Sequence, residues 1–444
     1  MSFSSEPNFF SAQTGKYQAI NSNGVLKIKN IRYAQSERYQ LPKAVEESNE
    51  FIETPDKTPV CPQNISPLLE RMIDRTKIDE FLVEESPQFL TITLPEDISK
   101  DEKLPVVVWI HGGSYEIGCG DVATSNPDEW VKEQRIIVIA VTYRLGLFGF
   151  LGGSKEIPAN LGLFDIIEAL KWINKNIHAF GGDEKNICLL GQSSGGDAIA
   201  HLLLVDEVQG LFNRVIIQSA PLGLRKNKQK MSQEFLQKID FNKNEMDVIK
   251  MVAEYKKFIP SIMKYGLKAA MPFGLQYGFP PLCEESNVEK KWRKNASKVE
   301  VLIGLNDDET AFYLRSSDSL KKYLSNGLGK KILDTTIRIT TEKIYGKPAL
   351  EFAENYAKGG GNITLFRIFS KHESNKIGAS HCIDLPLLFG NEKTWQNAGL
   401  LKGIPWEYIN ENGKKIRKLW AEFAKIGNIT EQDQPDILEI KKYN

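Results

Sequence analysis

Ser193 stands at the centre of Gly191-Gln192-Ser193-Ser194-Gly195, between the apolar run Ile187-Cys188-Leu189-Leu190 and small and apolar residues at helical spacing through position 204. A serine held on a sharp, glycine-flanked turn from strand to helix has its hydroxyl lifted clear of the sheet edge. The next backbone N–H is then aimed where negative charge develops on an attacked carbonyl. Such a turn strains its central residue, so the flanking positions need small side chains. The five-residue pattern alone is weak, but its strand-and-helix context makes Ser193 a candidate nucleophile and the Ser194 N–H a candidate oxyanion donor.

A serine hydroxyl is a poor nucleophile at neutral pH and needs a base, usually a histidine oriented by a carboxylate. The chain has five histidines. His201 reads as a packing residue on the helix after the turn, His178 has no chemical neighbours, and His111 reads as a structural member of its loop. His381 sits in the small-residue run Gly378-Ala379-Ser380-His381-Cys382 after the strand-like residues 365–369, where the base is expected, with His372 as the fallback. The acid is expected after a strand between the serine and the histidine. Residues 301–306 run into Asp307-Asp308-Glu309, where three carboxylates compete and spacing does not separate them; a helix cap is the plainer reading of the cluster. Further oxyanion donors are expected from a glycine-rich loop, and residues 106–110 lead directly into His111-Gly112-Gly113-Ser114-Tyr115.

Bringing residues 112, 193, 309 and 381 together requires elements from distant parts of the chain. Apolar, strand-like runs at 106–110, 136–141, 187–190, 215–217 and 299–303 alternate with longer amphipathic segments. Of these, 165–177 reads as a crossover helix and 419–424 as part of a terminal helix. Near-continuous apolar runs indicate strands covered on both faces. The pattern therefore predicts an α/β chain, a large, mostly parallel central sheet flanked by helices. Residues 225–298 differ, being polar and rich in Lys and Met with few strand signals. They read as a helical cap or lid excursion within a single domain spanning 1–444.

Composition narrows the partners. The 444 residues are 41% hydrophobic and 26% charged, ordinary for a chain with a sizeable core. Lys+Arg and Asp+Glu balance at 57 each, so no global field favours nucleic acid or an anionic membrane. No stretch approaches the roughly 18 apolar residues of a membrane span, and the first residues lack the basic start and apolar core of a secretory signal. Cys61, Cys119, Cys188, Cys283 and Cys382 are odd in number and scattered, a pattern of reduced thiols rather than of a disulfide framework or zinc site. The expectation is a cytoplasmic protein with neither metal nor cofactor; its oligomeric state is not legible.

These residues resemble the type-B carboxylesterases, the family that includes bacterial para-nitrobenzyl esterases and, more distantly, cholinesterases. The likeness is carried by Trp109-Ile110-His111-Gly112-Gly113, Tyr143-Arg144-Leu145-Gly146, Asn160-Leu161-Gly162-Leu163, Phe180-Gly181-Gly182-Asp183 and the Ser193 turn. It continues through Gln218-Ser219, Asp308-Glu309 and Gly378-Ala379-Ser380-His381 with Asp384-Leu385-Pro386. The resemblance implies an α/β-hydrolase fold, with Ser193 as nucleophile, His381 as base and Glu309 as acid in preference to its two aspartate neighbours. It also implies Gly112, Gly113 and Ser194 as the oxyanion hole, and a small-molecule ester hydrolysed through an acyl-enzyme. An amide, carbamate or thioester would be handled by the same machinery. A non-catalytic interaction module is the competing class, and such modules usually lose a triad member, whereas every triad position is occupied here.

The departures from the family are informative. Gln192 and Ser194 stand where family turns often carry Glu and Ala, and losing that carboxylate weakens attraction for a cationic substrate, leaving small to medium uncharged esters. Residues 62–87 contain no Trp for the aromatic floor on which cholinesterases hold choline. Many relatives bond a cysteine like Cys61 to one in a segment corresponding to 86–90, which has none here, so that disulfide cannot form.

Overall fold

The computed structural model describes residues 8–64, 67–73, 80–99, 101–239, 247–317, 320, 327–370, 372–430, 434 and 436–443. The main sheet has ten strands among these: β1 (Ile20–Ser22), β2 (Val25–Arg32), β3 (Phe89–Pro95), β4 (Leu104–Ile110), β5 (Ile137–Thr142), β6 (Gly182–Gln192), β7 (Arg214–Gln218), β8 (Glu300–Asn306), β9 (Ile363–Ile368) and β10 (Leu438–Tyr443). They lie side by side in the order β10-β9-β8-β7-β6-β4-β5-β3-β2-β1. Strands β4 to β9 are mutually parallel. Antiparallel strands extend both edges, β3, β2 and β1 on one side and β10 on the other.

The apolar runs expected from the sequence are these parallel strands, and their pleat explains why the runs are continuous. Alternate residues enter opposite layers: Val106, Val108 and Ile110 join one core, while Val107 and Trp109 join the other. Five helices bear on the site: α1 (Asp128–Gln134), α2 (Leu161–Asn176), α3 (Ser194–Leu202), α4 (Asp384–Leu388) and α5 (Trp406–Ile426). Helices α2 and α3 cover the first face, with Leu163, Ile166, Ile167, Leu170 and Ile173 of α2 buried in its core. Helices α1, α4 and α5 cover the second, where α5 contributes Ile409, Ile416, Leu419, Trp420 and Phe423 at helical spacing.

Three features lie outside the sequence expectation. The crossover helix α2 begins earlier, at Leu161, after Asn160 in the left-handed conformation. Helix α5 is 21 residues long, because its polar face hides its length from an apolar count. The antiparallel edges were not expected at all. Strand β2 reads Val-Leu-Lys-Ile-Lys-Asn-Ile-Arg, a charged pattern, yet Lys27 is buried because its ammonium pairs with Asp128 of α1 at 2.8 Å.

Between β7 and β8 lies the segment 225–298. Its described parts include helices Gln229–Leu236, Val248–Tyr255 and Val288–Asn295. Trp292 docks it on α3 through an N–H bond to the Ala200 carbonyl at 2.7 Å. Elsewhere, Arg144 and Asp165 form a fully buried bidentate pair, at 2.7 and 2.8 Å, tying the loop after β5 to α2. No helix among the described residues is long and apolar enough to cross a membrane.

Candidate active site

Strand order reverses around β4, whose neighbours β5 and β6 lie on opposite sides, and a crevice opens there at the carboxyl ends of the strands. Ile110 of β4 pairs with Gly191 of β6, so the loop after β4 starts beside the turn that carries Ser193. The turn passes from β6 to α3 with Ser193 at φ 57°, ψ −125°. This strained conformation is held from both sides. Ser193 N–H donates to the Gln218 carbonyl and its own carbonyl accepts from Asp197 N–H, each at 2.9 Å. Gly195 is required for a second reason: a Cβ there would lie 2.0 Å from the Ile110 carbonyl oxygen.

The structure brings Ser193, His381 and Glu309 into one line. His381 Nε2 lies 2.9 Å from Ser193 Oγ, and Nδ1 lies 2.5 Å from Glu309 Oε2. Glu309 is fully buried, its other oxygen accepting Asn306 N–H at 2.8 Å, and its carbonyl accepts His381 N–H at 3.0 Å. The neighbouring carboxylates turn elsewhere. Asp307 pairs with Arg367 at 3.0 Å, and Asp308 faces the turn at Gly378.

Gly112 approaches the serine so closely that a Cβ on it would stand 3.0 Å from Ser193 Cβ. Among the described residues no protein acceptor takes the N–H of Gly112, Gly113 or Ser194. The other histidines have other partners, although His111 lines the same cavity as Ser193. His111 is buried with its ring stacked on Tyr143, and His201 bonds the Asp197 carbonyl and the Tyr277 hydroxyl, each at 2.6 Å. His372 packs against Tyr408, and His178 lies on the 3₁₀ turn Ile177–Phe180.

A cavity of about 80 Å³ adjoins these groups. Ser193, His381 and Gly112 are on its wall together with Leu69 and Ile73 of the helix Pro67–Ile73, Thr124, Ser125, Phe312 and Tyr313. Among the described residues no Asp, Glu, Lys or Arg lines it. Gln192, at the position of the family's acidic residue, is buried with Nε2 at 3.4 Å from His381 Nε2 and 3.6 Å from Cys382 Sγ. The Ser194 hydroxyl is buried without a hydrogen-bond partner among the described residues. Cys61 is buried against Leu145, its Sγ 3.2 Å from the Leu145 nitrogen.

Sequence reasoning assigned no role to the groups behind the acid. Asn306 Nδ2 donates to Asp384 Oδ1 at 3.1 Å, and Gln218 Nε2 donates to Asp384 Oδ2 at 2.7 Å. Burial pushes the Asp384 carboxyl up to about 6, and the nearby Glu309 charge adds to the rise. The one signal in the sequence is that Gln218 and Asp384 belong to runs that carry the family likeness. Nor did any signal mark the wall residues Leu69, Ile73, Thr124 and Ser125.

The family model described as "Carboxylesterase family" matches residues 13–326. A probable N-octanoylanthranilate hydrolase of Rhodococcus erythropolis is 32% identical, over 96% of this chain and 94% of its own length. The para-nitrobenzyl esterase of Bacillus subtilis (strain 168) is 30% identical, over 94% of this chain and 89% of its own. Among solved structures, a thermophilic PNB esterase superposes with a TM-score of 0.77 at 24% identity, covering 98% of each chain, and this likeness speaks for the fold. A further PNB esterase structure gives 0.74 at 25% identity, again over 98% of each chain. The chain belongs to the carboxylesterase family and is a serine carboxylic-ester hydrolase of the α/β-hydrolase fold.

Proposed function

We propose that Ser193, His381 and Glu309 are the catalytic triad, that the N–H groups of Gly112, Gly113 and Ser194 form the oxyanion hole, and that the substrates are small to medium uncharged esters. The observation that carries this reading is the unbroken line from Glu309 Oε2 through His381 to Ser193 Oγ, at 2.5 and 2.9 Å. With Nδ1–H donated to Glu309, Nε2 is left to accept the Ser193 proton. Oγ then attacks the ester carbonyl, and the three N–H groups take up the charge on its oxygen. His381 returns the proton to the departing alcohol. Water, deprotonated by the same imidazole, hydrolyses the acyl-enzyme and restores Ser193. Glu309 keeps the imidazole oriented and stabilises its charged form.

The preference for uncharged substrates is supported by the uncharged side chains that line the cavity among the described residues and by Gln192 in place of an acid. A second reading, hydrolysis of an amide by the same groups, is favoured by the relative named for N-octanoylanthranilate. Five cysteines, none of them in a disulfide, support a reducing, cytoplasmic setting. The test is labelling with a fluorophosphonate, read by mass spectrometry of proteolytic peptides. A single adduct on the Ser193 peptide is expected, and an adduct on another residue overturns the assignment. Comparing an octanoyl ester with an octanoyl anilide then separates the ester from the amide reading.

A further inference from the structure

We infer that the helical excursion at 225–298 is a buttress for the loop carrying Gly112 and Gly113, with Tyr115, Asp197 and Tyr255 as positioning residues for the oxyanion donors. The inference rests on the assignment of those donors above. The loop folds back on itself, the Gly113 carbonyl accepting N–H bonds from Glu116 and Ile117, each at 3.0 Å. Ser114 and Tyr115 both hold positive φ, at 59° and 60°. Two consecutive non-glycine residues in this region store strain and persist only where their surroundings hold them.

Three anchors do so. The Tyr115 carbonyl accepts Gly146 N–H at 2.7 Å. The Tyr115 hydroxyl, on a fully buried ring, donates to Asp197 Oδ2 at 2.6 Å, and Asp197 lies four residues beyond Ser193 on α3. One buried carboxylate thus couples the helix behind the nucleophile to the loop of the oxyanion donors. The third anchor comes from the excursion itself: the Tyr255 hydroxyl bonds the Glu116 carboxylate, next along the loop.

Tyr255 is in turn wedged edge-on against Phe273, at 5.1 Å between ring centroids. Buried Lys228 fixes that part of the excursion by donating to the Met271 and Phe273 carbonyls at 2.8 and 3.0 Å. Among the described residues, by contrast, the cavity wall is drawn from segments outside 225–298. A lid acts on substrate entry and selection, and its loss alters KM and discriminates among substrates. A buttress acts on the transition state, so its loss lowers kcat alike for every ester.

The experiment compares Tyr115→Phe, Tyr255→Phe, Asp197→Ala and Asp197→Asn with the parent on para-nitrophenyl acetate and butyrate. It also measures affinity for a trifluoromethyl ketone, which adds to the serine and places an oxyanion in the hole. For Tyr115→Phe and Tyr255→Phe, kcat is expected to fall roughly 10- to 100-fold on both esters with KM within about twofold. Ketone affinity is expected to fall in parallel. Asp197→Asn keeps a carbonyl acceptor for the Tyr115 hydroxyl and recovers most of the loss seen in Asp197→Ala. Met263→Ala, exposed on the same excursion, stays at the parental rate. Each tyrosine change removes one oxygen, so these two variants carry the test if the Asp197 variants do not fold. Folded Tyr115→Phe and Tyr255→Phe proteins with parental kcat and ketone affinity overturn the buttress, as does a loss confined to KM that differs between esters. Either result leaves parental hydrolysis intact, and so is distinct from a failure of the triad assignment.

Discussion

The Ser194 hydroxyl is enclosed beside Ser193 with nothing to bind among the described residues, whereas its N–H is the proposed oxyanion donor. Burying an unpaired hydroxyl costs about 1–3 kcal/mol, and replacing it with a methyl group removes that cost. Ser194→Ala is therefore expected to gain about 1 kcal/mol in urea unfolding while turnover stays within about threefold of the parent. A large loss of turnover would assign the hydroxyl a part in the reaction. Single residues are also where the sequence was hardest to read. Spacing left Asp307, Asp308 and Glu309 equivalent, because it does not say where a side chain points. Only in three dimensions does Asp307 turn to Arg367 while Glu309 reaches His381. Asn306 and Gln218 were given no role for a related reason: their bonds to Asp384 span 78 and 166 residues of chain.

Among elements, the parallel strands were legible because each is buried on both faces, which writes an unbroken apolar run. Edge strands carry no such run. Strand β10 buries Leu438 and exposes Glu439, Lys441 and Lys442, and β2 holds a lysine whose burial is offset by its bonds to Asp128 and Asn126. The excursion at 225–298 was legible as helical, but not in which neighbour it supports, since that depends on Tyr255 meeting Glu116 across 139 residues. The junction of β8 with α4 yields a pH prediction. Asp384 opens α4 and is bonded to Asn306 at the end of β8, with a carboxyl raised from 3.8 to about 6 by burial. Well below pH 3.8 the carboxyl is neutral both folded and unfolded. As pH rises through 6 the folded state must ionise a buried group, and stability is lost. Relative to Asp384→Asn, the parent should therefore lose roughly 2 kcal/mol of folding stability between pH 4 and 7.5. Paired urea unfolding curves at the two pH values measure this, and a difference that does not change with pH contradicts the buried carboxyl.

For the molecule as a whole, strand order does what no single motif can. The reversal around β4 sets the glycine loop beside the serine turn, and the carboxyl ends of β8 and β9 deliver the acid and the histidine to the same crevice. Motifs at the ends of β4, β6 and β8 marked the segments that meet here, and the family likeness implied their roles. Pocket shape was not legible, since its wall is assembled from short segments such as Pro67–Ile73 with no pattern of their own. The central claim is that one serine, activated by His381 and Glu309, performs the hydrolysis. It is tested most directly by steady-state turnover of para-nitrophenyl butyrate by purified, folded Ser193→Ala. The account predicts a fall in kcat of roughly 10⁴-fold or more, and turnover close to that of the parent would contradict it.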